Sequence, residues 1–141
     1  MQKILDIQLD DFAYEPSRAH PEDAGLDLRC PKNTAIHAGR SVVIDTGVHV
    51  GIENGWFGKL ESKSGLNVNH GIFCSGGVID AGYTGSIKVR LHNLSDEDYI
   101  MKAGDKCVQL VLIPCNTPLV KLVPVVSGGL RGDAGFGSTG R

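Results

Sequence analysis

SVVIDTGVHV, residues 41–50, puts Val42, Ile44, Thr46, Val48 and Val50 on one side of an extended chain and the intervening residues on the other. A repeat of two is the period of a β-strand with one buried face. SIKVRLH at 86–92 repeats the pattern, with Ile87, Val89 and Leu91 opposite Ser86, Lys88, Arg90 and His92. Working outward, further strands are expected at Leu5–Leu9, Leu26–Leu28, Trp56–Leu60, 106–113 (KCVQLVLI) and 119–126 (LVKLVPVV). Turn residues separate them at short intervals: Pro31 to Asn33, Gly39, Asn54-Gly55, Gly76-Gly77, Gly82, Gly85, Asn93 and Gly104. No segment keeps a 3.6-residue apolar period for three turns, so helix is confined to a turn or two near Ser64–Asn69. This pattern predicts an all-β, jelly-roll-like or barrel-like sandwich.

A chain of 141 residues makes one domain. Fourteen basic and sixteen acidic residues leave a formal charge of −2, which argues against DNA, RNA or an anionic membrane as the main partner. Any polyanion bound should be small. No apolar run approaches the ~20 residues of a membrane span. The opening MQKILDIQLDDF lacks the basic start and apolar run of a secretory signal, and Cys30, Cys74, Cys107 and Cys115 form no C-x-x-C pair. A reduced, cytoplasmic protein is expected. Glycine is abundant, 19 residues, and six fall in the last fifteen, SGGLRGDAGFGSTGR. Such a segment cannot build its own core, so residues 1–126 read as the β-domain and 127–141 as a flexible tail. Glycine amides, Arg131, the Ser138 and Thr139 hydroxyls and the Phe136 ring are the parts of a nucleotide clamp. A P-loop is rejected: the lysine is missing and the chain stops where its helix would start. Zinc-dependent deamination is excluded as well, because neither H-x-E nor P-C-x-x-C occurs. The acidic run Asp96-Glu97-Asp98 reads as a solvated turn.

Five segments in order, AGLDLRC (24–30), SKSGL (62–66), GVIDAGYTGSIKVRLHN (77–93), AGDKCVQL (103–110) and RGDAGFGSTG (131–140), resemble the five motifs of the trimeric dUTP diphosphatase (dUTPase) family. The resemblance spans nearly the whole chain. It implies a jelly-roll-like dUTPase fold of the β-clip type, a homotrimer with shared active sites, Mg²⁺ dependence, and hydrolysis of dUTP to dUMP and pyrophosphate, which keeps uracil out of DNA and supplies dUMP for dTMP synthesis. The second and fourth motifs of one subunit, the third of a neighbour and the tail of the remaining one would surround each nucleotide.

By the same resemblance Asp80 activates water for attack on the α-phosphorus, a task suited to a carboxylate that can aim the water and accept its proton. Tyr83 implies a steric gate against the ribose 2′-hydroxyl, and Gly77 and Lys88 would read uracil through the main chain of a hairpin. Lys63, Ser64, Gly65 and Gln109 imply phosphate contacts, joined by Arg131, Gly137, Ser138 and Thr139 of the tail while Phe136 stacks on the base. Asp27 would hold Mg²⁺ through its water shell, as suits an ion that dehydrates reluctantly. Lys63 and Ser62 depart from the commoner P-R-S-G-L; lysine gives a point charge in place of a fork, and Glu61 is expected to neutralise part of it. Two alternatives remain: a dCTP deaminase-type relative of the same fold, and a regulatory protein that uses the scaffold to bind a protein partner.

Overall fold

The alternating run at 41–50 folds as two strands. In the computed structural model, which describes residues 3–140, β4 (Ser41–Asp45) ends before Gly47 and β5 (Val48–Gly51) starts after it. Ile44, Thr46, Val48 and Val50 stay buried across the break, so the two-residue period survives the bend. Gly47 makes the bend with φ +69°, a region that costs an L-residue about 1–2 kcal/mol. A Cβ there would stand 2.6 Å from the Phe12 ring. One continuous pattern thereby serves two sheets, β4 pairing with β9 (Lys88–Asn93) and β5 with β1 (Asp6–Leu9).

The remaining strands are β2 (Leu26–Arg29), β3 (Thr34–Ile36), β6 (Trp56–Glu61), β7 (Ile72–Cys74), β8 (Val78–Ile79), β10 (Tyr99–Met101) and β11 (Lys106–Pro114). They form a four-stranded sheet ordered β2-β11-β6-β8, a three-stranded sheet β4-β9-β7, and the pairs β1-β5 and β10-β3. The fold is all-β, as expected, with one short helix, α1 (Ser64–His70), closed by Gly71 at φ 67°. Among the described residues the strands pair antiparallel throughout.

Between the layers lies a core that includes Leu28, Ile36, Leu60, Ile72, Ile87, Leu91, Met101, Val108 and Leu110. Burying a side chain such as Leu60 contributes about 1.5–3 kcal/mol. Gly58 lets β6 pack closely, since a Cβ there would meet Leu110 at 2.7 Å and Ile52 at 3.0 Å. Asn93, buried and polar, donates to the Ile36 and Glu97 carbonyls at 2.8 Å and accepts from the Ser95 amide and hydroxyl. These bonds shape the exposed turn at Asp96–Asp98.

Two expectations are corrected here. LVKLVPVV at 119–126 is not a strand; Leu119, Val120, Leu122, Val125 and Val126 are between 77% and 98% exposed. The segment alternates as a strand would, but it joins no ladder of its own subunit. The stretch from Gly77 to Lys88 is not a paired hairpin either, because β8 joins β6 and β9 joins β4 and β7. It is a crossing between two sheets.

Candidate active site

Asp27, Lys63 and Gln109 converge because β11 lies between β2 and β6. Gln109 sits opposite Asp27 on one side and Glu61 on the other. Asp27 is only 3% exposed, where a strand residue without the motif would be read as open to solvent. Its carboxylate accepts from Lys63 Nζ at 2.5 Å and lies 3.3 Å from Lys106 Nζ. Burying a carboxylate requires such pairing. Glu61 does not take the role expected of it: it pairs with Lys59 at 2.6 Å, because neighbours two apart on β6 share a face. Gln109 donates from Nε2 to the Ser62 carbonyl at 3.0 Å. Gly25 makes room for it, since a Cβ there would collide with the Gln109 amide oxygen.

Ser64 and Gly65 open α1 and are exposed. The first intrahelical bond runs from the Asn67 amide to the Lys63 carbonyl at 3.0 Å, so the amides before Asn67 lie ahead of the helical ladder. Lys63 and Lys106, with these amides beside them, make a cationic corner suited to phosphate. Lys106 was not singled out in the sequence. Its signal was present as the residue three before Gln109, on the long apolar run that became β11.

Asp80 and Tyr83 lie elsewhere. Asp80 is exposed directly after β8, and the Tyr83 amide closes a turn onto its carbonyl at 3.1 Å. Tyr83 is 44% exposed and its hydroxyl donates to the Ser86 carbonyl at 3.1 Å. Gly85 is needed under that ring, for a Cβ there would strike it. The end of this loop is gripped by the β4–β5 corner: the Ile87 amide donates to Val48, the Ile87 carbonyl accepts from the Thr46 amide and hydroxyl, and Ser86 bonds Asp45. Backbone and side-chain bonds together hold Asp45 below the usual carboxylate range against the opposing pull of desolvation, which is the largest effect acting on it.

The register of β6 with β8 (Gly58 opposite Ile79) sets Asp80 level with Phe57. Lys63 lies six residues further along, roughly 20 Å at strand rise. One subunit therefore carries a cationic corner and a carboxylate–tyrosine loop that do not meet. Gly77 directly precedes β8, its carbonyl accepting from the Leu60 amide at 3.0 Å, and Lys88 opens β9; β8 pairs only with β6, and Lys88 to Arg90 only with β4. Each strand is left with one side unpaired by the described ladders. In the tail, Arg131 bonds the Ala134 carbonyl at 2.7 Å, and further turns close from Ser138 to Gly135 and Gly140 to Gly137. Phe136 is fully exposed, and the hydrogen bonds of the described tail residues close within the tail itself. Arg131, Phe136, Gly137, Ser138 and Thr139 are thus brought to neither cluster of their own subunit.

The sequence profile that describes the dUTPase family matches residues 13–140. The chain belongs to the dUTPase family. It is 36% identical over 140 residues to the deoxyuridine 5′-triphosphate nucleotidohydrolase of Paramecium bursaria Chlorella virus 1, covering 99% of both chains. Among solved structures it matches the Staphylococcus bacteriophage 80alpha dUTPase with dUPNHPP at a TM-score of 0.91 and 29% identity, covering 99% of this chain and 100% of that one. A mutant dUTPase of S. aureus phage phi11, described with a coordinated structural Mg(II) ion, matches at a TM-score of 0.83 and 27% identity over 89% of this chain and 100% of that one. Among the described residues no helix is long and apolar enough to cross a membrane.

Proposed function

We propose that this dUTPase hydrolyses dUTP to dUMP and pyrophosphate with Mg²⁺, as a homotrimer whose sites combine residues of neighbouring subunits. The observation that carries the shared site is the separation of Asp80 from Lys63 on one chain. Chemistry on a triphosphate needs the water-activating carboxylate and the phosphate clamp within a few ångströms of the same substrate. A second copy supplies what the first holds out of reach. The exposed apolar segment 119–126 supports the same reading, since a neighbour could cover it.

Uracil would bind in the crossing between β8 and β9, read by main-chain groups at Gly77 and Lys88. Tyr83 closes against the deoxyribose face and leaves no space for a 2′-hydroxyl. Lys63, Ser64, Gly65 and Gln109 hold the phosphates, with Arg131, Gly137, Ser138 and Thr139 of the tail (127–141) closing over the β-domain (1–126) and Phe136 stacking on the base. Asp80 accepts a proton from water while the water oxygen bonds to the α-phosphorus; the bond from that phosphorus to the bridging oxygen breaks, and pyrophosphate leaves with the electron pair.

The donor set suits Mg²⁺ arriving on the triphosphate. Asp27 spends one of its roughly four lone-pair sites on Lys63 and keeps others for a metal-bound water, and Mg²⁺ typically uses one or two carboxylates besides phosphates. Bound there, the ion would neutralise charge on the phosphate oxygens. Unpaired thiols at Cys30, Cys74, Cys107 and Cys115 support a reducing, cytoplasmic setting.

Pyrophosphate release measured with each dNTP and UTP tests this reading. The expected result is release from dUTP alone, and Asp80→Asn should keep trimer and nucleotide binding while turnover falls at least ~10²-fold. Normal turnover in that variant would remove Asp80 from the chemistry. Ammonia release from dCTP would favour the deaminase-type relative, and binding of dUTP without products would favour the regulatory scaffold.

A further inference from the structure

The loop that carries Asp80 and Tyr83 is held by a side chain outside the family motifs. His49, on β5, has Nδ1 2.7 Å from the Thr84 carbonyl and Nε2 3.0 Å from Asp10 Oδ1. Both partners are acceptors. A neutral imidazole has one N–H, so it satisfies one contact and turns a lone pair toward the other; an imidazolium donates to both. This geometry is that of the charged ring. Asp10 is anchored in turn, its amide donating to the Gly47 carbonyl at 2.9 Å.

The groups around His49 reinforce the charge. Asp10 follows β1, Asp45 lies on β4, and Gln8, opposite His49 in the β1–β5 register, is uncharged. Lys88 acts on Asp45. The Thr84 carbonyl first, then Asp10, raise the His49 pKa above the ordinary 6.5. The side chain keeps 20% of its exposure, so the ring exchanges protons with solvent.

We propose that His49, donating at once to the Thr84 carbonyl and to Asp10, is a positioning residue for the Asp80–Tyr83 loop, and that losing its proton loosens Tyr83 and lowers discrimination between dUTP and UTP. This rests on the reading of Tyr83 as the sugar gate. The direction follows from the raised pKa: the clasp is complete below 6.5 and is lost as pH rises through the folded-state value. Selectivity falls toward alkaline pH.

The test uses the intact protein from about pH 5.5 to 9, a span that brackets histidine titration. Nitrogen NMR of His49 is recorded alongside kcat and KM for dUTP and UTP, in the parent, His49→Gln and Asp10→Asn. His49 should titrate above 6.5, with both ring nitrogens protonated below its midpoint. Across that midpoint the dUTP-to-UTP ratio of kcat/KM should fall about 3- to 10-fold, the scale of one hydrogen bond. In His49→Gln the ratio should be low at every pH, and in Asp10→Asn the transition should move to lower pH. A His49 midpoint at or below 6.5, or a His49→Gln protein that keeps the parental ratio and its pH dependence, would overturn the proposal. If His49→Gln does not fold, the parent's own NMR midpoint and ratio profile decide by whether they coincide. Failure of the underlying reading looks different: Tyr83→Ala would leave the ratio unchanged whatever His49 does.

Discussion

Lys63 is 26% exposed at its side chain while Asp27, its partner at 2.5 Å, is 4% exposed, so the ammonium sits where a buried carboxylate meets solvent. A phosphate arriving at this corner competes with Asp27 for that charge, and Lys106 remains behind to keep the carboxylate paired. Lys63→Ala should therefore lower kcat/KM for dUTP by at least ~1 kcal/mol, the scale of a charge-assisted hydrogen bond. Lys63→Arg should preserve or raise it, because a fork can hold Asp27 and phosphate together. Steady-state kinetics of both variants check this, and an unchanged alanine variant would make Lys63 a bystander. The motif pointed to Lys63 as a phosphate contact, but its ion pair with Asp27 was not legible. Residues 36 positions apart become neighbours only once β11 is placed between β2 and β6.

Among the elements, the β4–β5 corner decides most. It bends one alternating run into two sheets and grips the end of the loop that carries Asp80 and Tyr83. Gly47→Ala should cost about 2–4 kcal/mol in urea unfolding, combining left-handed strain with overpacking against Phe12 and Ala13. The corner was hidden in the sequence because burial parity continues through it: Ile44, Thr46 and Val48 read as one strand whether or not the chain turns. The strands β3, β7, β8 and β10 were also not read. Each has two or three residues, too few for a period of two to stand out from chance. The helix was expected near Ser64–Asn69 and forms at Ser64–His70, but Gly71, which closes it, was not read.

At the scale of the whole molecule, one subunit leaves apolar residues 119–126 uncovered and the tail away from both clusters. Leu122 is 93% exposed; Leu122→Asp should leave the β-domain folded but shift sedimentation from trimer toward monomer, with activity lost in parallel. A trimer unaffected by this change would show that the segment is not buried between subunits. Deleting residues 131–141 is expected to leave a trimer that still binds dUMP yet hydrolyses dUTP at least ~10²-fold more slowly, the scale of a lost transition-state contact. Normal turnover by the truncated protein would end the closing-tail assignment. The glycines make closure sterically easy but entropically costly, so binding of dUpNHpp should slow the motion of tail amides by NMR.

The sequence by itself determined that the chain is β-rich, which side chains face its core, and that motifs of the dUTPase family occur in order, since alternation and short motifs are local properties of the chain. Only the tertiary structure decided that Asp27 is buried between two lysines, that 77–88 crosses between sheets, that His49 spans Asp10 and Thr84, and that 119–126 joins no ladder of its own subunit. Each of these depends on which strands become neighbours. That choice is made by the fit of whole faces against one another, and strand period alone does not contain it.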